Sequence, residues 1–585
     1  MYDVVLQLRD IFKYSLNYII NCGTIKIIGI SPKNQRIIPA IIIVAILLIA
    51  GVVTVVLLSA ESKPVESIEK EIDDRISPYT NQALFLEIHR IRKKGIINQM
   101  MNPPASLIDR IPVRNQRLAT YLQGIKPGKG WDTKPVYNWV VTIDGYTEIG
   151  KGIFRDWDTG YINQVVWRDV KDEQAEAVVE IKFQQHITTQ QFLRSSTSKK
   201  ELDAFSVTYD FKTGMWHGAD SFNDTDGYGH YDGVDFEIWF SLTQTSPDDD
   251  IIPFWTEVNI LHTDPLTDDT HLDPDNDGIP TVWEWKWGYD PHKPDNHTKL
   301  DPDLDGLQNT EEYFMENWLA NPFHQEIYLE ADYMAQTPKK FLGRDGYDGW
   351  EHTFYKESQQ MLMDRYNEHG YTLHVDDGTH GDMSEGGDIL PFGRGNSAYQ
   401  QERGIVAGFY SNNFPDERKG IWRYLVIAYG GGWCHPQDEN HWYDCMCIPD
   451  NRNFFQNQLG GALSQRSIRI GQAIQILHEM GHSLGMLSAH FEGVDNSIYR
   501  SDDPQNYPYL DYVSVMNYDY FWERYFDYSY GENGEYDKDD WAELDLTFFQ
   551  TPSIEMEGLG KYDDPLDEDP WEDIALFRYI FLTER

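Results

Sequence analysis

His478 and His482 stand four residues apart with Glu479 beside the first, and this trio is the sharpest chemical pattern in the sequence. On an α-helix, positions i and i+4 leave one face about one turn apart, so both imidazoles can hold a single zinc ion. Glu479 is then placed to take a proton from water bound to that ion and to pass it to a leaving amine. That chemistry is hydrolysis of a peptide bond. Ile470, Ala473, Ile474, Leu477, Gly481 and Leu484 recur at helical spacing around the trio, which gives the helix an apolar face to bury. Gly485 ends it, because glycine adopts positive φ at little cost and turns the chain toward a third ligand.

Farther along come Ser514, Val515, Met516, Asn517 and Tyr518. The H-E-x-x-H pattern, the glycine three residues after it and the later methionine together resemble the metzincin zinc metalloproteases, whose signature ends in a methionine turn. The resemblance implies an α/β (α+β) catalytic domain, a twisted sheet over two helices, with a catalytic Zn2+ and a protein or peptide substrate. It implies that Met516 is the apolar floor of the site and that the Tyr518 hydroxyl stabilises an oxyanion beside the metal. At the position of the family's third histidine this chain carries Ser488, a poor ligand. His490, two residues later, is the favoured replacement, since histidine is the commoner partner of two histidines and loops absorb short insertions at small entropic cost. Asp495 is the alternative, because zinc also accepts a carboxylate oxygen.

A second kind of metal chemistry precedes the histidines. Asp273, Asp275, Asp277 and Glu284 occupy positions 1, 3, 5 and 12 of a loop with Gly278 at position 6; Asp301, Asp303, Asp305 and Glu312 do the same around Gly306. Hard oxygen ligands at these positions, a glycine for the sharp turn and a backbone carbonyl at position 7, here Ile279 and Leu307, are the pattern of a Ca2+ loop. A degenerate copy, with Ser246, Asp248, Asp250 and Glu257, has isoleucine at position 6 and is not expected to bind. The run resembles thrombospondin type 3-like and EF-hand-like calcium repeats, which implies a structural spacer stiffened by Ca2+.

These motifs need elements to hold them. With 585 residues the chain is too long for one core. Residues 37–60 are uncharged and long enough to span a bilayer as a helix; basic residues precede them and acidic ones follow, which places residues 1–36 in the cytoplasm and the rest outside the cell. Residues 61–130 read as a helical stalk, since apolar positions in 82–99 fall at helical spacing. From 131 to 245, alternating short runs separated by Gly/Asp turns read as an antiparallel β-sandwich. The calcium repeats occupy 246–323, the metzincin-like domain 324–560 and an acidic tail 561–585. Within the catalytic domain, strands at 326–331, 371–375 and 424–429 and a helix at 354–369 are expected before the zinc helix.

Acidic residues outnumber basic ones by 95 to 49, for a formal charge of −46, which opposes binding to nucleic acid. Cys434, Cys445 and Cys447 lie close together in the extracellular part, where a disulfide from Cys434 to Cys445 or Cys447 is expected. The sequence therefore reads as a membrane-anchored, extracellular zinc metalloendopeptidase. The rival reading is a calcium-binding cell-surface adhesion protein that keeps an inactive protease-like scaffold.

Overall fold

The structure, a computed structural model, describes residues 72–548 apart from 79–80, 102–135, 150–153, 156–159, 192–193, 223–226, 336–351, 391–408, 411, 429–432, 436–444, 450–464 and 502. The expected cytoplasmic segment, transmembrane helix and acidic tail lie outside the described residues. Among those described, no helix is long and apolar enough to cross a membrane.

Ten strands form two antiparallel sheets. They are β1 (Ala83–Lys93), β2 (Val136–Ile143), β3 (Tyr146–Ile149), β4 (Phe154–Arg155), β5 (Gly160–Asp169), β6 (Glu176–Gln191), β7 (Arg194–Asp210), β8 (Trp216–Gly218), β9 (Gly229–Asp232) and β10 (Phe236–Gln244). One sheet runs β5-β1-β10-β9 and the other β3-β2-β6-β7-β8, with β4 on β2. Alternate residues from both, among them Leu84, Leu86, Ile88, Trp139, Val141, Ile181, Phe183, Ile238 and Phe240, meet in one core. The two sheets thus face one another across a shared core, and their first strand, β1, lies before residue 131.

The helical reading of 82–99 is corrected here. β1 is an interior strand paired with β5 and β10, and only α1 (Ile96–Met101) is helical in this stretch. A bulge between Ile88 and Arg90 explains the misreading. It shifts the strand by one residue, so that Leu84, Ile88 and Ile91 all face inward at spacings of four and three, which mimic a helix.

After the repeats, with α2 (Thr281–Lys286) and α3 (Asn309–Phe314), comes a second sheet system. β11 (Glu326–Met334), β12 (Thr372–Asp376), β14 (Trp422–Ala428) and β16 (Cys445–Pro449) run parallel in the order β12-β11-β14-β16, with β13 (Ile389–Leu390) on β11. β15 (Trp433–His435) is antiparallel at the edge. Both faces are covered, so every residue of β14 and all but Tyr333 of β11 are buried, although β11 carries Glu326, Glu330 and Asp332. One face, with Ile327, Leu329, Leu425 and Ile427, packs on α4 (Lys356–Asn367) and α5 (Gln465–Ser483). The other, with Tyr328, Trp422, Tyr424 and Val426, packs on Leu307, Met315 and Trp318 of the last repeat. The repeats also share a core with the sandwich through Ile279, Trp283 and Trp287 against Tyr228 and Trp239. They are thus a packed middle layer rather than an exposed spacer.

The sandwich is tied directly to this second sheet system as well. Arg92 of β1, fully buried, pairs with Glu237 of β10 and with Asp364 of α4, and Asp364 also accepts the backbone N–H groups of Gly95 and Ile96 at 2.8 and 2.7 Å. Strand register sets Cys434 opposite Met446, Cys445 opposite His435 and Cys447 opposite Trp433. No cysteine directly faces another across this pair, so the register does not align the expected disulfide.

Candidate functional site

The H-E-x-x-H stretch lies on the last turns of α5, with His478, Glu479 and His482. Its end is fixed by a hydrogen-bonded turn. The Gly485 N–H donates to the His482 carbonyl at 3.1 Å and the Met486 N–H to the Gly481 carbonyl at 2.9 Å, with Gly485 at φ +88°. This paired closure requires a left-handed residue after the helix, which glycine supplies. The turn brings the Met486 carbonyl to His482, whose Nδ1–H donates to it at 2.7 Å. His478 is oriented by the predicted methionine turn, its Nδ1–H donating to the Val515 carbonyl at 2.9 Å. A carbonyl can only accept, so both rings carry their proton on Nδ1 and present Nε2 to the site.

Both Nε2 atoms face one carboxylate. Asp495 Oδ1 lies 3.1 Å from His478 Nε2 and 3.5 Å from His482 Nε2. Donors about 2.1 Å from a tetrahedral zinc ion stand about 3.4 Å apart, so the set fits that metal. Without a cation, a proton substitutes for it. Burial alone would lower the His482 pKa, but the Asp495 carboxylate overrides it and holds the imidazole up at about 9. Burial would likewise raise Asp495, yet His482 and the hydrogen bonds from both rings hold it far below the usual carboxylate range.

The carboxylate that both imidazoles face is thus Asp495, the alternative of the sequence reading, and not the favoured His490. His490 is exposed, with Nδ1 3.3 Å from the Gly485 carbonyl. The chain folds back on itself there, the N–H groups of His490 and Phe491 both donating to the Leu487 carbonyl at 2.9 and 3.0 Å. It then buries Val494 in the core and locks Asp495 by a bond from its N–H to the Met516 carbonyl at 2.9 Å. Asp495 adopts φ +57°, a conformation aspartate tolerates better than most residues. Ser488, at the family position, is also exposed.

Met516 is wholly buried and lies directly beneath the helix. A Cβ on Gly481 would come within 2.4 Å of its sulfur. The sequence pattern assigned Gly481 only to an apolar face; its need to admit Met516 is a role that periodicity does not reveal. An added methyl there would cost about 1–3 kcal/mol by overpacking. Asn517 caps the short α6 (Tyr518–Trp522) by accepting the Asp519 N–H, which fixes Tyr518 at its start. The Tyr518 ring stacks on His478 with centroids 5.3 Å apart. Its pKa stands well above that of an ordinary tyrosine, chiefly from burial and then from the Asp495 and Glu479 charges.

Glu479 is 5% exposed, and its Oε2 has no hydrogen-bond partner. Burial pushes its pKa up to about 7, against the pull of the two histidines.

The acidic loops are built differently. Carboxylate oxygens of Asp273, Asp275 and Asp277 lie within 4.8 Å of one another, as do those of Asp301, Asp303 and Asp305. Gly278 and Gly306 take φ +103° and +99°, and their N–H groups donate to the first aspartate of each loop at 3.0 and 3.2 Å. The last acids, Glu284 and Glu312, are buried and neither oxygen of either has a hydrogen-bond partner. Burial and then the neighbouring aspartates push Glu284 up to about 8 and Glu312 well above its ordinary value. Ile279 and Leu307 are buried, their N–H groups donating to Asp277 and Asp305 at 3.2 and 2.9 Å. One participant was not foreseen: buried His297 sets Nε2 3.2 Å from Asp277 Oδ2 and 3.7 Å from Glu284 Oε1, while its Nδ1 lies 2.9 Å from the Asn309 amide nitrogen of the next loop.

No family model and no curated protein matches the sequence. A solved structure of human GIVD cytosolic phospholipase A2 in complex with methyl gamma-linolenyl fluorophosphonate is similar over 29% of this chain and 18% of that chain, at 10% identity and a TM-score of 0.15. A structure of Drosophila C2-DSL-EGF1 is similar over 28% of this chain and 68% of that chain, at 8% identity and a TM-score of 0.13. This chain spans less than a fifth of the phospholipase's length, and likeness so slight carries no argument about fold or chemistry.

Proposed function

We propose that the chain is a zinc endopeptidase, anchored in the membrane by residues 37–60 and facing outward, with His478, His482 and Asp495 as metal ligands. The observation that carries this reading is the convergence of two Nε2 atoms on one carboxylate oxygen, with both rings held by backbone carbonyls. Bound there, zinc supplies a Lewis acid and lowers the pKa of the attacking water. Glu479, titrating near neutrality, takes the proton from that water and returns it to the leaving amine. Tyr518, protonated and fixed against His478, offers its hydroxyl to the developing oxyanion.

The unpaired Glu479 oxygen weighs against an inert scaffold. Leaving a buried polar group without a partner costs about 1–3 kcal/mol, and an adhesion module gains nothing from it. Glu479→Gln should keep its zinc and lose proteolysis of a broad protein substrate by a factor of about 10² to 10⁴; unchanged turnover sinks the enzyme reading. Topology has its own check, since protease added to intact cells should remove the domains after residue 61. Protection of those domains reverses the orientation.

A further inference from the structure

The first repeat breaks the loop consensus at two positions, yet the structure gives it the same build as the other two. Carboxylate oxygens of Asp248, Asp250 and Glu257 lie within 4.8 Å of one another. Position 4 is left-handed in all three loops, with φ +70° at Asp249, +63° at Asn276 and +63° at Leu304. In each, the position-5 aspartate accepts the N–H of position 7 on one oxygen, at 2.9 Å from Ile252 in the first loop. Its other oxygen accepts a backbone N–H from the start of the next unit: Asp269 to Asp250 at 3.2 Å, Asp295 to Asp277 at 2.9 Å and Glu326 to Asp305 at 3.0 Å.

The two departures explain one another. In the regular loops the glycine at position 6 serves a bond from its N–H to the aspartate at position 1. Ser246 replaces that aspartate, and its hydroxyl donates instead to Asp248, so the need for glycine lapses and Ile251 fits. The missing charge returns from elsewhere, because Asp269 closes the loop and acts on Glu257 together with Asp250 and Asp248. Four carboxylates result, against five in the second loop when its counterpart Asp295 is included.

Two of these acids point to a ligand by what they lack. Glu257 and Asp269 are 0% and 2% exposed, and Glu257 Oε2 and Asp269 Oδ2 have no hydrogen-bond partner. Buried carboxylate oxygens without donors are costly unless they coordinate a cation. We propose that the first repeat is a third divalent-cation site, of the calcium class because its side-chain donors are hard oxygens, formed by Asp248, Asp250 and Glu257 and completed by Asp269. The site stands independently of the peptidase reading. In the absence of the ion, burial and then the neighbouring acids push Glu257 up to about 9, and burial chiefly pushes Asp250 up to about 6.

Equilibrium dialysis of the full chain against radioactive calcium tests it, with zinc present throughout. Glu257→Gln should bind one calcium ion fewer per chain than wild type. The calcium-free variant should melt no lower than calcium-free wild type, since it loses a buried acid, and calcium should raise its melting temperature by less. Should that variant not fold, Asp269→Asn is measured the same way, with loss of one ion or roughly tenfold weaker binding of one ion expected. Equal stoichiometry and affinity in wild type and in the folded variants would overturn the proposal.

Discussion

Behind each histidine of the His478, His482 and Asp495 centre stands a backbone carbonyl, and behind Asp495 the Met516 carbonyl; Glu284, Glu312 and Glu257 of the acidic loops have oxygens without a hydrogen-bond partner. The histidine centre is held in shape by the protein whether or not an ion is bound. The loops gather negative charge in the interior and leave the ion, or protons, to neutralise it. On the proposed reading one centre serves chemistry and the others stability, and the difference would show in what each loses when its metal is withdrawn.

Selective metal removal should therefore give opposite results in the two regions. Removing calcium with zinc maintained should lower the melting temperature strongly and open 246–323 to proteolysis, because an ion at about 1,000 times its Kd contributes about 4 kcal/mol to the folded state. Since the repeats are the layer between sandwich and catalytic sheet, activity should fall with them. Removing zinc with calcium maintained should abolish proteolysis while the melting temperature changes little. Equal melting with and without calcium would reduce the loops to acidic turns and erase the contrast.

A smaller effect sharpens the same contrast. Without calcium, Glu284 and Glu257 titrate at about 8 and 9 in the folded chain, against about 4.3 when unfolded. Over that interval the folded state holds protons that the unfolded state has released, so stability falls as pH rises. Acidifying the calcium-free protein from about pH 8 to about pH 6 should thus raise its melting temperature, and saturating calcium should flatten or reverse the trend. A calcium-free protein that gains stability as pH rises through this window would contradict the burial of those acids.

The sequence disclosed the local patterns and missed what distant segments do to them. The positions of His478, Glu479, His482, Gly485, Met516 and the two regular loops were legible because spacing within one helix, turn or loop fixes where each side chain sits. Strands at 326–331, 371–375 and 424–429 reappear as β11, β12 and β14 with shifted ends. β1 was misread because a bulge gives a strand helical spacing, and only its pairing with β5 and β10 settles the matter. Asp495 was ranked below His490 because sequence distance favoured the nearer residue, whereas the turn at Leu487 and the bond from Asp495 to Met516 decide which side chain arrives. Asp269 and His297 carry no motif, and both reach their loops from the start of the next unit.

The most direct test of the active-centre account compares Asp495→Ala with His490→Ala, each purified with calcium present, for zinc bound per chain and for proteolysis of a broad substrate. Asp495→Ala should lose tight zinc binding and activity together, and His490→Ala should retain both. Full zinc occupancy and activity in the Asp495 variant, with their loss in the His490 variant, would contradict the assignment.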